Sequence, residues 1–529
     1  MRLNGRILPA LWIAASVIAW GQGGGRAGRA GAAPPAAPGR EFYNFDTAAG
    51  SIPAIPDSPP AETHQKIAVN GETIAYTTRA GYLPVRNATT GQPEAHLFYT
   101  CYFKDGASDS AARPLMFFFG GAPGVSAAWQ EFGGFGPKRM RWGSDGTAGQ
   151  PPYGWNDNPG TLLGEADLVF VNPVGTAFSR PGQPSHGADF WNTAGDVASL
   201  AEFVRSFLNT ADRRNSPLFL AGEDFGTGRV AGLAAYLSEH DIPVAGVVLL
   251  SMTMSADALA GDAQYMTLLP SLVMSSWYHK KLAPEWNAMS AEQISGMARQ
   301  FASREYLHAL YKGDRMTPDE RTKAIAEMAR LTGLSKAFLV NNDLRVSLER
   351  FNGELLREQH RGLSDSDARV TGFVPPAAGG GRGGRGFAAA PPTPIDFNES
   401  NLAGGFQAAY EAYLRHEMAF TAQGSGIFYL SGGGVGAFAS TGSDDQSLAA
   451  AFARNPNLRL FAGVNYFHLS APFYAAEFTL AHLNVSPEVR AHNITVSHFE
   501  AGQMAYVDSK ALARLQSELA RFIRQGAKP

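Results

Sequence analysis

The residues with the sharpest chemical context in this 529-residue chain are Gly222-Glu223-Asp224-Phe225-Gly226. They follow a short apolar run, Leu218 to Ala221, and precede a pattern of helical spacing from Thr227 to Leu237. A strand, a tight glycine-flanked turn and a helix make a nucleophile elbow, in which the central residue stands exposed above the sheet. Glycines flank such a turn because it is strained and a Cβ would meet neighbouring elements. The motif expects serine at its centre, and here the residue is Asp224. A carboxylate can attack carbon, but it leaves an ester that water must clear with the help of a base.

Elements of alternating type must position that turn. Short apolar runs bounded by turn residues predict buried strands at Leu115 to Phe119, Leu168 to Val171, Leu218 to Ala221, Val247 to Leu250, Leu458 to Ala462 and Ile494 to Val496. Val197, Leu200, Ala201, Val204, Phe207 and Leu208 recur at helical spacing, as do Leu512, Leu515, Leu519, Phe522 and Ile523. His64 to Tyr102 reads as an antiparallel β region with turns at Asn70-Gly71 and Thr90-Gly91. The pattern is that of an α/β fold with a mostly parallel sheet. From 256 to 423 the pattern turns helical, with two start signals: Ser290 with Gln293, and Thr317-Pro318 with Glu320. Inserted between sheet strands, that block is expected to form a cap over the sheet's C-terminal edge, where α/β ligands bind. The domain reading is therefore a core in two parts, 61–255 and 424–529, with the cap between them.

Several segments carry a family resemblance in order along the chain. Gly121-Ala122-Pro123-Gly124-Val125-Ser126 resembles the Asn-Gly-Gly-Pro-Gly-Ser-Ser loop of the S10 serine carboxypeptidases, and Phe135-Gly136-Pro137 the Gly-Pro after it. Asn172-Pro173-Val174-Gly175-Thr176-Ala177-Phe178-Ser179 resembles their Asp-Pro-Val-Gly-Thr-Gly-Phe-Ser segment. Leu331-Thr332-Gly333-Leu334-Ser335 and Asn342, Leu344 and Arg345 are similar to bacterial members. The resemblance runs from about His64 to Phe522 and implies an α/β-hydrolase fold: a mostly parallel central sheet, antiparallel N-terminal strands and an inserted helical cap. It also implies where a Ser-Asp-His triad would lie. The acid segment matches His468-Leu469-Ser470-Ala471-Pro472-Phe473, and the base segment Glu500-Ala501-Gly502-Gln503-Met504. All three positions are substituted: Asp224 for the nucleophile, His468 for the acid, Gln503 for the base.

These losses compound. An amide such as Gln503 neither gives nor takes a proton near neutral pH. Removing one triad member costs about 10⁴-fold or more, so three substitutions leave little peptidase activity. The resemblance further implies a grip on the substrate's C-terminal carboxylate by an Asn and a Glu; the matching positions are Gly120, where the Asn is lost, and Glu223, which is kept. Oxyanion donors would be the backbone N–H groups of Ala122 and Phe225. Asp224 is expected to fill that hole itself, a carboxylate at a helix N-terminus, with Gln503 bridging Asp224 and His468. Ser126 is expected to support its turn, and His498 to be a packed or solvated strand residue. His492 has no assigned role. The function expected is a pseudoenzyme that binds peptide or another exported protein. The alternative is an active hydrolase, either a weak carboxypeptidase or an enzyme with Asp224 as nucleophile.

Composition sets the outer limits. A hydrophobic content of 45% supports a large core, and a net charge of −3 gives no general attraction to nucleic acid or an anionic membrane. No cofactor is expected, and no metal, since His468, Asp224 and Glu223 lack a supporting histidine cluster. Arg2 and Arg6 before the apolar stretch Ile7 to Ala19 read as a signal peptide, 1–19, so the protein is expected to be exported, periplasmic or extracellular, with no stable membrane anchor after cleavage. A low-complexity leader, 20–60, follows it. A Gly/Arg-rich surface loop is expected at 375–394. The single cysteine, Cys101, lies among apolar residues and is expected to be a buried thiol.

Overall fold

In the computed structural model the apolar runs form strands, and their order places the elbow near the middle of one sheet. The structure describes residues 58–69, 71–107, 112–121, 124–143, 146–183, 186–252, 258, 260–374, 396–422, 428–431, 438–439 and 444–527. The expected signal peptide, most of the leader, the 375–394 loop, Asn70 and Ala122 lie outside these residues.

Among the described residues, ten strands build the central sheet: β1 (Ala61–Val69), β2 (Glu72–Arg86), β3 (Pro93–Lys104), β4 (Leu115–Phe119), β5 (Asp167–Val171), β6 (Arg180–Pro181), β7 (Leu218–Glu223), β8 (Gly246–Leu250), β9 (Arg459–Asn465) and β10 (Ile494–Phe499). Their order is β1-β2-β3-β5-β4-β7-β8-β9-β10, with the two-residue β6 beside β3. The pairs up to β3/β5 are antiparallel and those from β5/β4 onward are parallel. The central strands read as unbroken apolar runs because both faces are covered. Along β4 the side chains alternate: Leu115, Phe117 and Phe119 enter one core cluster, Met116 and Phe118 the other.

The helices Thr193–Thr210 and Gly226–Glu239 cover the first face, and Ser509–Gly526 covers the second with Leu512, Leu515, Leu519, Phe522 and Ile523. The helical block after β8 divides between the two. Helices from Ala263–Tyr278 to Leu348–Glu354 pack into the first cluster, whereas Phe397–His416 packs into the second, against Trp129 and Phe132. Both start signals form full capping boxes, Ser290 with Gln293 and Thr317 with Glu320. Each N-cap of this kind stabilises its helix by about 1 kcal/mol. Cys101 is fully buried on β3, and burial pushes its thiol pKa far up.

Candidate active site

At the end of β7 the chain turns sharply into the helix Gly226–Glu239, with Asp224 at φ +51°. Aspartate accepts this left-handed conformation better than most residues. A Cβ on Gly222 would lie 2.1 Å from the Gly226 carbonyl oxygen, so the close turn itself requires glycine. Asp224 N–H donates to the Leu250 carbonyl at 2.9 Å, which ties the elbow to β8.

The glycine loop after β4 lies against the elbow. A Cβ at Gly121 would be 3.9 Å from Cβ of Asp224. At Gly120 a Cβ would meet the Val125 carbonyl oxygen at 2.1 Å, so the missing asparagine could not be put back without moving backbone. Ser126 supports the turn: its Oγ donates to Asn172 Oδ1 at 2.7 Å and accepts from Ala128 N–H at 3.1 Å. Arg229, one turn into the elbow helix, is buried and ion-paired with Asp196 at 2.5 Å. Its Nη1 donates to the Gly120 carbonyl at 2.7 Å and to that of Gly121 at 3.3 Å. This grip fixes loop and elbow together, and nothing local in the sequence announced it.

Burial shapes the charges. The Asp224 carboxyl is pushed up to about 6 by desolvation, against the opposing pull of the Phe225 backbone N–H. Among the described residues, desolvation of this carboxyl outweighs the favourable N–H of Phe225. Glu223 is pushed up to about 8, by burial first and by Asp224 in addition, while the Tyr506 hydroxyl, 3.1 Å from Oε2, acts in the other direction. Near neutral pH Asp224 is mostly ionised and Glu223 mostly protonated. Glu223 Oε1 is buried without a partner. It belongs to a residue lining a void of about 10 Å3 shared with Asn465, Gln503 and Tyr506. Such a void holds about one water and no substrate.

The acid and base positions follow β9 and β10, as the chain order requires. His468 is only 1% exposed; its Nε2 lies 2.8 Å from Ser470 Oγ and its Nδ1 is buried without a partner. Burial lowers its pKa to about 4, against a weaker opposing influence of Asp396, so the ring is neutral. In the tautomer that leaves no buried N–H unpaired, Nε2 carries the proton and donates to Ser470. In that tautomer the ring does not accept the serine's proton. Ser470 is also two residues away on the same loop, outside the elbow, so this contact is a local one.

The bridge expected of Gln503 is not formed. Its side chain makes no hydrogen bond with Asp224 or His468. A segment of the inserted block lies across both positions. Gln503 N–H donates to the Ser366 carbonyl at 2.7 Å, Leu469 N–H to that of Asp365 at 2.9 Å, and Ala368 N–H to that of Phe467 at 2.9 Å. The Gln503 carbonyl accepts from Ser251 Oγ at 2.8 Å and from Asn465 Nδ2 at 3.2 Å. Backbone ties thus set where each residue sits, and His468 turns to Ser470. His498 is paired with Glu477 and stacked on Tyr466, a packed strand residue as expected.

Residues 69–326, just under half the chain, match the sequence model of the serine carboxypeptidase family, Peptidase S10. That span includes Gly120, Glu223 and Asp224 and ends before His468 and Gln503. Serine carboxypeptidase-like 36 of Arabidopsis thaliana is 27% identical over 187 residues, 34% of this chain and 35% of that protein. A carboxypeptidase Y homolog of Arthroderma benhamiae is 25% identical over 182 residues, 33% of each chain. The chain thus matches only about a third of the length of these relatives. Among solved structures, the prohormone-processing carboxypeptidase Kex1 of Saccharomyces cerevisiae superposes with a TM-score of 0.52 at 13% identity, over 84% of this chain and 91% of that one. The chain is therefore serine carboxypeptidase-like over residues 69–326, on an α/β-hydrolase fold.

Proposed function

We propose that this protein is a non-catalytic relative of the serine carboxypeptidases that binds a peptide or another exported protein. The observation that carries this reading is the lack of a proton relay: among the described residues, no imidazole forms a hydrogen bond with Asp224 or Gln503. Serine-type acyl transfer needs a hydroxyl nucleophile and a base within reach to deprotonate it, and both are missing at the elbow. Export rests on Arg2, Arg6 and the apolar stretch to Ala19. Among the described residues, no helix is long and apolar enough to cross a membrane.

The test is direct. Purified, unmodified protein is expected to release no C-terminal amino acid from peptides and to take no label from a fluorophosphonate probe. Saturable release, or labelling of any serine, overturns the reading. Restoring Asp224→Ser, His468→Asp and Gln503→His together then asks whether the pocket survives: regained release would locate the loss in the triad alone.

The intact elbow favours one second reading, a hydrolase with Asp224 as nucleophile, since the carboxylate is ionised near neutral pH and placed at φ +51°. Turnover in ¹⁸O-water would then leave heavy oxygen in the Asp224 carboxyl.

A further inference from the structure

Behind the segment that carries Gln503 lies a cleft of about 860 Å3, lined among others by Arg139, Arg141, Arg369, Asp157, Asp367, Asp508 and Lys510. Its acids are all ion-paired, two of them sharing one guanidinium. Asp367 and Asp508 both pair with Arg369, at 2.8 and 3.2 Å, and Asp157 pairs with Lys138 at 2.5 Å. Three of its cations are not. Among the described residues, no carboxylate pairs with Arg139, Arg141 or Lys510.

Arg139 is half-buried and fixed by main chain, with Nη2 donating to the Tyr506 carbonyl at 2.9 Å and Nε to that of Gly133 at 3.4 Å. Burial without a counter-charge lowers its pKa. Arg141 and Lys510 are exposed. Like charges gathered around a concavity repel one another unless an anion enters. Trp142 and Tyr278 add aromatic walls. The cleft at the β10 edge, about 950 Å3, lacks this imbalance at its centre, where Glu477 satisfies both Arg299 and His498.

We propose that the cleft behind 502–508 binds a small, multiply charged oxyanion, gripped by Arg139, Arg141 and Lys510. Guanidinium forks suit carboxylate and phosphate alike, so the shared chemistry is a polyvalent oxyanion of either kind. The volume is that of a small-molecule site. Because Arg139 holds the Tyr506 carbonyl and the Tyr506 hydroxyl holds Glu223, the anion would sit one residue from the elbow's own network.

Isothermal titration of the full protein with inorganic pyrophosphate and, separately, with citrate tests this and distinguishes phosphate from carboxylate. Saturable binding of at least one probe, with Kd below roughly 1 mM at low salt and weakening as salt rises, is expected. Arg141→Ala and Lys510→Ala change exposed side chains that, among the described residues, pair with no carboxylate, so folding is retained. Each should weaken binding severalfold, and the double variant roughly tenfold or more. Absence of saturable binding for both probes overturns the proposal, and so does binding that the double variant leaves unchanged. Neither result bears on the missing proton relay.

Discussion

Around the elbow, individual atoms decide which substitutions the site tolerates. At position 120 a Cβ would stand 2.1 Å from a carbonyl oxygen, and the offending atom is backbone. Reintroducing the carboxylate-binding asparagine should therefore destabilise the protein: Gly120→Asn is expected to cost about 1–3 kcal/mol in chemical denaturation. An unchanged midpoint would mean that the loop shifts freely and that the lost asparagine is not locked out by packing. At position 224 the residue type is compatible with the strained backbone, so the turn survives although its chemistry has changed. The turn and the nucleophile are separable: one depends on glycines and φ, the other on a hydroxyl.

Among the elements, the elbow helix Gly226–Glu239 and the glycine loop are coupled through one buried side chain, Arg229, which is itself ion-paired with Asp196 of the helix Thr193–Thr210. Removing Arg229 would leave the Asp196 carboxyl buried and unpaired and would free the carbonyls of Gly120 and Gly121. Breaking a buried pair from one side costs about 3–5 kcal/mol. Arg229→Leu is expected to show that loss in denaturant titration, and Asp196→Asn with Arg229→Leu together should cost less than the sum of the singles. Additive losses would show that the two side chains do not act as a unit. The segment 365–368 plays a comparable part for the acid and base positions, holding the backbone beside His468 and Gln503. A histidine restored at 503 would start from backbone already committed to Ser366, Ser251 and Asn465.

For the molecule as a whole, buried carboxyls set the response to pH. Glu131 is fully buried and accepts from the hydroxyls of Tyr102 at 2.5 Å and Tyr410 at 2.6 Å, joining β3 to the helix Phe397–His416. Burial pushes it up to about 7 from 4.5, although both tyrosines pull it down. A carboxyl with a raised folded pKa contributes stability that is full below about 4.5 and lost as pH climbs through about 7. His468 runs the opposite way: its contribution is full above about 6.5 and lost as pH falls through about 4. The variant Glu131→Gln isolates the first effect. Its stability relative to the unmodified protein should improve between about pH 5 and 8, by an amount on the order of 3 kcal/mol. A constant difference across that range would remove the charge-burial account of this cage.

Local order was legible in the residues themselves. The strands read as apolar runs bounded by turns, the capping boxes as Ser290 with Gln293 and Thr317 with Glu320, and the elbow as a glycine-flanked turn between strand and helix. Each signal spans a few neighbouring positions, and short-range sterics and hydrogen bonding are enough to express it. Tertiary structure alone decided the rest. Arg229 reaches a carbonyl 109 positions away, and Tyr410 a carboxylate 279 positions away. His468 meets Ser470 where a distant segment is bonded across its loop, and three cations from distant parts of the chain line one cleft. No periodicity encodes such meetings: they follow from how twisted layers pack, so side-chain partners and desolvation are set only once the whole core has closed.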